Sequence, residues 1–318
     1  MLAFVLPSVC FRCGSILGPF QLLGACPACW AALHPLGPWI CRGCALPRPA
    51  QTDLLGPIRN DPVIPYASLQ PAGATFEAYR DALCQSAEKA KALGFKAVKS
   101  EVTMNGPYAH HGLAESYDRH TEVVAAVRKT LGPDITLMVD VQYLWDDAAT
   151  ALSVVRDWAE FDIFFLETPI WPDNLDEYAK LADEAPMPIA AGEWLATRHE
   201  FEELMDRGKI DVAQPDVGRV GGLIEAKAVC DMAAERGLVI VPHCWKTGVS
   251  ISATAHMAFT TPHCAFIEYL PPELCVETLR KELVAEELTL VDGTIARPTK
   301  PGLGVELNQA AVDAYKVA

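Results

Sequence analysis

Short apolar runs recur along residues 135–268, and six of them end in a carboxylate or a histidine. The runs ITLMVD, DIFFLE, PIAAGE, IDVAQPD, LVIVPH and AFIE end at Asp140, Glu167, Glu193, Asp216, His243 and Glu268. Successive members of this set are 23 to 27 residues apart. A strand, a helix and two connections take about that many residues in a barrel of about 250 residues with eight such units. The pattern therefore predicts a parallel, TIM-like (β/α)8-type barrel whose strand ends gather these side chains at one face.

The segments before and between these runs follow the same alternation. Residues 63–69 predict a first strand, residues 76–93 a helix, and residues 95–102 a second strand. Several helices are expected to end with a basic residue near a glycine, which is typical of helix termini. These glycines are Gly94, Gly132, Gly208 and Gly237. The strands are continuous apolar runs, as in a parallel sheet covered on both faces. An open, doubly wound sheet is the structural alternative.

Charge divides the chain of 318 residues into two parts. The formal net charge is −15, yet residues 1–50 contain three arginines and no Asp, Glu or Lys. We expect no nucleic-acid partner for the acidic part. No apolar run reaches 18 residues and the N-terminus lacks a basic region, so we expect no membrane span, no signal peptide and a cytoplasmic protein.

Six of the eleven cysteines lie in the first 50 residues, as three C-x-x-C pairs. The pairs are Cys10 with Cys13, Cys26 with Cys29, and Cys41 with Cys44. Two thiolates at this spacing grip one tetrahedral ion, which predicts a zinc ribbon or knuckle. Six cysteines complete one four-ligand zinc site and leave one pair over. The sequence therefore does not decide which four cysteines bind the ion. Disulfides, or thiols in a segment that does not fold, are the alternatives.

The stretches CFRCG and ACPACWAALHPLGPWICRGCALP resemble the N-terminal zinc-ribbon region of the ComF-type phosphoribosyltransferases. This resemblance covers residues 8–50. The transferase domain of that family would follow with an acidic pair and a Thr-rich phosphate loop, and nothing downstream matches it. We therefore do not extend the transferase activity to this chain.

Asp140, Glu167 and Glu193 end three consecutive predicted strands. Carboxylate oxygens are the ligands that Mg²⁺ prefers, and no His or Cys joins the trio to favour zinc. Solvated strand ends are the alternative reading of any one of these acids. Three in register predict a magnesium site.

The motifs LMVD140, FLE167TP, AAGE193, QPD216VGRVGG, VPH243CWKTG and FIE268YLP together resemble the enolase superfamily, in its mandelate racemase subgroup. The resemblance covers residues 56–318, including PGLGVEL near the C-terminus, and implies a modified (β/α)7β barrel. It implies that the three acids bind Mg²⁺ and that Asp216 orients His243 as the acid/base. It also implies that Glu268 hydrogen-bonds the developing enediolate.

The second strand departs from the K-x-K pattern of that subgroup, since it reads Lys99-Ser100-Glu101. Lys99 matches the first lysine and could neutralise a substrate carboxylate, while Glu101 stands where a second base would be. A racemase needs a base on each face, whereas a dehydratase can use His243 twice. We therefore predict a Mg²⁺-dependent acid-sugar dehydratase, a lyase that forms a 2-keto-3-deoxy acid. A racemase or epimerase of a 2-hydroxy acid is the alternative.

The family also implies an N-terminal α+β capping domain of roughly a hundred residues, which residues 1–50 do not match. The expected order is a Cys-rich segment (1–50), a linker (51–62), the barrel (63–290) and a C-terminal segment (291–318). Without its cap such a barrel would be a weak enzyme, and a silent barrel fused to a zinc-binding interaction module is a further alternative. We expect a sugar acid as ligand and a homo-oligomer. Four weaker candidates near the site are His110, His111, Trp245 and Lys246.

Overall fold

The computed structural model describes residues 55–316. The chain divides into two units, Met1–Gln51 and Thr52–Ala318, and the description below concerns the second.

The predicted zinc ligands are not among these residues. All six paired cysteines lie outside the described part of the chain: Cys10, Cys13, Cys26, Cys29, Cys41 and Cys44. The zinc site and the choice of its four ligands from these six therefore stay a prediction.

Eight short parallel strands form one sheet, with neighbours in the order β7-β6-β5-β4-β3-β2-β1-β8. Their bounds are β1 Pro65–Leu69, β2 Ala97–Glu101, β3 Thr136–Asp140, β4 Ile163–Glu167, β5 Ile189–Ala191, β6 Val212–Ala213, β7 Val239–Ile240 and β8 Ile267–Tyr269. A parallel bridge between Ile240 and Cys264 joins the β7 edge to the residues that lead into β8. With this bridge the two edges of the sheet, β7 and β8, meet, so the sheet is curled into a barrel. The predicted barrel is confirmed, and the open sheet is not observed in residues 55–316.

Each of the first seven strands is followed by a helix, so the order is seven strand–helix units and a final strand. The helices are α1 Phe76–Ala92, α2 Tyr117–Leu131, α3 Ala148–Val155, α4 Leu175–Glu184, α5 Arg198–Asp206, α6 Leu223–Glu235 and α7 Gly248–Phe259. Two 3-10 turns lie at His110–Gly112 and Arg156–Phe161. The C-terminal part contains α8 Thr278–Glu282, the hairpin β9 Leu290–Val291 and β10 Thr294–Ile295, and α9 Gln309–Ala314.

Local sequence explains where the helices start and stop. Thr75 caps α1 by accepting from the Ala78 amide. At α5, Thr197 and Glu200 form a reciprocal capping box that satisfies two otherwise unpaired amides. The helix predicted at residues 76–93 ends one residue earlier, at Ala92. The second strand, predicted at residues 95–102, spans Ala97–Glu101. Within the described residues no helix is both long and apolar enough to cross a membrane.

The barrel interior is filled by one apolar layer, contributed by every second residue of the strands. This layer consists of Tyr66, Ala97, Met138, Phe165, Ala190, Val212 and Val241. All seven side chains are buried. Strand side chains alternate between faces, so the residue two positions further along each strand also points inward. That alternation places Lys99, Asp140 and Glu167 directly above the apolar layer. His243 follows Val241 by the same two positions, just past the end of β7.

Candidate active site

The strand ends carry a second layer, which is charged. Lys99, Glu101, Asp140, Glu167, Glu193, Asp216, His243 and Glu268 make up this charged layer. Neighbouring strands bring its members together, since Glu101 pairs with Asp140 in register and Asp140 pairs with Glu167. All except Glu101, which is half-buried, are buried. The eight side chains named from the sequence thus lie at one end of the barrel.

Left-handed backbone ties the strand ends to one another. Gln142 and Tyr143 after β3, and Thr168 after β4, have φ values of 44°, 61° and 46°. The Gln142 amide and the Thr168 hydroxyl both donate to Asp140 Oδ1, at 2.9 and 2.7 Å. Such conformations are costly for residues with a side chain and tend to occur at functional sites. Here they fix the orientation of a buried carboxylate.

Lys99 is the cationic centre of one side of the layer. Its Nζ donates to Glu167 Oε1 at 2.6 Å, and it lies 3.1 Å from Glu268 Oε1 and 3.6 Å from Asp140 Oδ2. Burial lowers the pKa of Lys99, but these three carboxylates outweigh it and hold the pKa well above its usual value. Lys99 is therefore a fixed ammonium that neutralises part of a carboxylate cluster.

Glu268 is held as an anion. Its Oε1 accepts from the Ser68 hydroxyl at 2.8 Å, and its Oε2 accepts from the Cys244 amide at 2.5 Å. Burial raises the pKa of Glu268, but Lys99, then His243, outweigh burial and bring the pKa to about 2. A carboxylate accepts hydrogen bonds and does not donate them. Any hydrogen bond from this side chain to a substrate oxygen must therefore use a proton of the substrate.

His243 and Asp216 form a buried pair on the other side of the layer. His243 Nδ1 lies 2.7 Å from Asp216 Oδ2, and Nε2 lies 3.1 Å from Glu193 Oε2. Burial lowers the pKa of His243, but Glu268, Asp216 and Glu193 together raise it above the usual value. Burial likewise raises the pKa of Asp216, which the His243 hydrogen bond and Lys246 bring down to about 2. Asp216 is ionised and orients the imidazole ring through Nδ1.

A cavity of about 170 Å³ opens onto this layer. Lys99, Asp140, Glu193 and His243 line it together with Tyr108, Gln142, Tyr143, Trp194, Arg219 and Trp245. The sequence motifs did not identify Tyr143, Trp194 and Arg219 as site residues. The signal that could have found them is position, because they directly follow the strand-end acids by one to three residues. Tyr143 donates from its hydroxyl to Glu193 Oε1 at 2.9 Å, and Arg219 stacks over Trp194 at 3.9 Å.

Of the four weaker candidates named from the sequence, one lines the cavity and three do not. Trp245 lines the cavity, whereas Lys246 Nζ binds Asp216 at 2.6 Å. His110 and His111 lie in the 3-10 turn after β2, the first half-buried and the second exposed, and this cavity does not include them.

The three acids expected to bind Mg²⁺ fit that ion in their chemistry. Burial raises the pKa of Asp140 and that of Glu167, the latter to about 8, even though Lys99 lowers both. Repulsion from neighbouring carboxylates adds to both rises, so more cationic charge would suit the cluster. Within residues 55–316, however, no three acid, His or Cys side chains converge as a formed metal site. The ammonium of Lys99 reaches oxygens of Asp140 and Glu167, while Glu193 faces His243.

Glu101 stands at the mouth side of β2, where its Oε1 accepts from the Thr103 hydroxyl at 3.2 Å. Burial, and then Asp140, raise its pKa to about 8.

The free cysteines among the described residues are Cys84, which is half-buried, and Cys230, Cys244, Cys264 and Cys275, which are buried.

Residues 82–311 match the family described as Enolase C-terminal domain-like. The chain belongs to that family. Residues 1–58 match the family described as Double zinc ribbon domain. Both resemblances expected from the sequence motifs are thereby confirmed.

Curated relatives and solved structures of this family agree with the barrel. The chain is 33% identical to D-galactarolactone cycloisomerase of Agrobacterium fabrum over 61% of this chain and 53% of that protein. It is 32% identical to L-rhamnonate dehydratase of Saccharopolyspora erythraea over 80% of this chain and 64% of that protein. The chain thus spans about half to two thirds of these relatives. The crystal structure of 3,6-anhydro-D-galactonate cycloisomerase from Zobellia galactanivorans superposes with a TM-score of 0.72 at 30% identity, covering 83% of this chain and 69% of that one.

Proposed function

We propose that this chain is a Mg²⁺-dependent dehydratase of an acid sugar, which removes water to give a 2-keto-3-deoxy acid. The observation that carries the proposal is the His243–Asp216 pair. His243 Nδ1 lies 2.7 Å from Oδ2 of the ionised, buried Asp216, and the His243 side chain lines the cavity. The relative named as a dehydratase supports the same reaction class.

His243 supplies both proton transfers. With Nδ1–H donated to Asp216, Nε2 is the nitrogen that takes the proton α to the substrate carboxylate, once substrate displaces its 3.1 Å contact with Glu193 Oε2. The electrons of that C–H bond move into the carboxylate, which becomes an enediolate. As the enediolate collapses, the bond from C3 to its hydroxyl breaks, and His243 returns the proton so that water departs. The resulting enol gains a proton at C3 and loses its O–H proton, which gives the 2-keto group.

Other residues of the chain stabilise the charge that develops on the substrate carboxylate. Lys99 is a permanent cation that lines the cavity, so it can attract a carboxylate. Fixed charges in a water-poor site act without reorganising during the reaction. Asp140, Glu167 and Glu193 would hold Mg²⁺, which when bound supplies further positive charge beside the substrate.

Racemisation is the less favoured alternative because the lysine expected as a second base is replaced by Glu101. Lys99 donates to Glu167 and is surrounded by carboxylates, and Glu101 replaces the lysine that a two-base enzyme of this subgroup would use. A second candidate is the cycloisomerisation of a sugar lactone or of an anhydro sugar acid, because one similar protein is named as a D-galactarolactone cycloisomerase and another as a 3,6-anhydro-D-galactonate cycloisomerase. That reaction would use the same initial proton abstraction, so the products must distinguish the two.

The test is a screen of acid sugars and their lactones with the purified chain, in Mg²⁺ and in EDTA. We expect Mg²⁺-dependent formation of a 2-keto-3-deoxy acid, detected as its semicarbazone. Exchange of the α-proton in D₂O with inversion and no keto product would instead identify a racemase. Absence of both exchange and product, with a cooperative unfolding transition shown, would favour a silent barrel joined to a zinc-binding module.

A further inference from the structure

Lys246 lies three residues after His243 and reaches back to the carboxylate that orients it. Its Nζ is 2.6 Å from Asp216 Oδ1 and 2.7 Å from Asp216 Oδ2. The Asp216 side chain is 2% exposed and that of Lys246 is 28% exposed. We propose that Lys246 is a positioning residue, which clamps the carboxylate plane of Asp216 so that Oδ2 faces His243 Nδ1. The inference rests on the proposed function of the His243–Asp216 pair.

The hydrogen bonds of Asp216 show why a clamp is needed. Oδ1 accepts from the Gly218 amide at 2.7 Å as well as from Lys246, and Oδ2 accepts from both Lys246 and His243. Among the described residues, only Lys246 donates to both oxygens. The terminal torsion of an aspartate is broad, so one hydrogen bond to each oxygen restrains its plane weakly. A cation that bridges both oxygens removes that freedom.

Gly218 gives an independent sign that the chain makes room for this contact. A Cβ on Gly218 would stand 2.8 Å from Lys246 Nζ and 3.2 Å from Asp216 Oδ1. Its φ is outside the left-handed region that favours glycine, so backbone conformation does not require the glycine. The residue is small where the ammonium of Lys246 approaches Asp216. An alanine there would crowd both Lys246 Nζ and Asp216 Oδ1, and so would disturb their contact while leaving the charge of Lys246 on the chain.

A second cation nearby does not replace Lys246. Arg219 Nε is 3.9 Å from Asp216 Oδ2, but its guanidinium stacks on Trp194 and donates to the Glu193 carbonyl at 3.0 Å. Arg219 also lines the substrate cavity, and within the described part of the chain the lining of that cavity does not include Lys246. Loss of Lys246 should therefore slow proton transfer and leave substrate binding nearly unchanged.

The experiment compares Lys246→Met, Lys246→Arg and Gly218→Ala with a matched control, Lys227→Met. Lys227 pairs with Asp231 on α6, so the control removes the same charge away from the site. The first readout needs no substrate: the downfield proton signal of His243 Nδ1–H, assigned by its loss in His243→Asn. We expect this signal to shift or broaden in Lys246→Met and Gly218→Ala, to recover in part in Lys246→Arg, and to stay in place in the control.

The second readout is kinetic, on whichever acid sugar the chain dehydrates. We expect kcat to fall about 10- to 100-fold in Lys246→Met, as for a small misplacement of a reacting group, with KM within about twofold. A wild-type signal in both Lys246→Met and Gly218→Ala would overturn the proposal, even if no acid sugar is turned over. A raised KM with kcat unchanged would overturn it too, because Lys246 would then contact substrate. If Lys246→Met does not fold, the same NMR criterion applies to Gly218→Ala and Lys246→Arg.

Discussion

The barrel holds two layers of inward-facing side chains, and on β3 and β4 the two layers are only two residues apart. Met138 and Phe165 belong to the apolar layer, whereas Asp140 and Glu167 belong to the charged layer. Both layers are buried, apart from the half-buried Glu101. Burying apolar surface stabilises a fold, while burying a charge costs free energy unless a partner compensates it. The same strands therefore support stability at one level and chemistry at the next.

The charged layer persists because its members satisfy one another. Lys99 serves three carboxylates, and Asp216 is shared by His243 and Lys246. Removing one partner of a buried ion pair leaves the other as a buried charge without compensation. Truncating a side chain in the apolar layer leaves only a cavity. The comparison predicts that activity and stability can be lost separately.

The largest effect on activity is expected from His243→Asn. Losing a general acid–base lowers a rate by about 10²–10⁴-fold, and by more if the group serves twice. Stability should change by less than about 2 kcal/mol, because Asp216 keeps its pairing with Lys246. Mg²⁺ binding should stay near normal. Steady-state rates, urea unfolding and Mg²⁺ titration measure the three quantities. The exposed histidine of α5 provides the control, as His199→Asn. A rate within tenfold of the parent would move the base to Glu101 or Lys99.

Phe165→Ala should give the opposite result. Truncating a fully buried phenyl ring costs about 3–5 kcal/mol through lost burial and the cavity left behind. The free energy of unfolding from urea titration measures this, with Ile224→Ala on the exposed face of α6 as the control, expected within about 0.5 kcal/mol. In conditions where the variant stays folded, kcat should fall far less than in His243→Asn. Equal losses of kcat would show that the two layers are not separable.

The strand ends were predictable from the sequence because two periodicities coincide. Alternation along a strand puts Asp140 on the same face as Met138, and the 23- to 27-residue repeat brings successive strand ends to one face. Both are local or nearly local properties, and they identified six of the eight members of the charged layer. Lys99 and Glu101 were named from the resemblance to the family instead.

What the sequence did not predict depends on the closed barrel. The bond from Lys99 to Glu167 joins residues 68 positions apart, and that from Lys246 to Asp216 joins residues 30 apart. Neither pair shares a strand, so no periodicity links them. The cavity walls formed by Tyr143 and Trp194 come from loops of left-handed or irregular backbone, where only their position shortly after a strand-end acid marks them.

A smaller effect is expected from pH, which changes the charge of His243 in the charged layer and leaves the apolar layer unchanged. Because the pKa of His243 is raised above 6.5, its neutral, proton-accepting form is lost below that higher value. At saturating Mg²⁺, kcat/KM should fall tenfold for each pH unit below the folded pKa. Stability has the opposite sign, since the protonated imidazole stabilises the fold below pH 6.5 and this is lost as pH rises through the folded pKa. A flat rate profile from pH 6 to 9 would contradict the assignment of the base.

The acidic side of the profile follows from the two lowered carboxyl groups. The pKa values of Asp216 and Glu268 are lowered to about 2, so their stabilising contributions are present above their unfolded values and are lost as pH falls towards 2. Unfolding measured against pH should therefore show stability decreasing below pH 4. If Glu101 were the essential acid, kcat/KM would also fall above its pKa of about 8.

The smallest effect is expected from removing zinc. If chemistry belongs to the charged layer, metal bound by the paired cysteines of residues 1–50 should not contribute to turnover. We expect about one zinc ion per chain, since four thiolates complete a tetrahedral site. Its removal by a zinc-selective chelator in excess Mg²⁺ should change kcat/KM by less than about twofold, because every member of the charged layer lies between residues 99 and 268. Zinc content by metal analysis and kcat/KM are measured on the same samples, and deletion of residues 1–54 serves as a second route. Activity that falls in proportion to zinc and returns with zinc alone would show that the N-terminal segment takes part in catalysis.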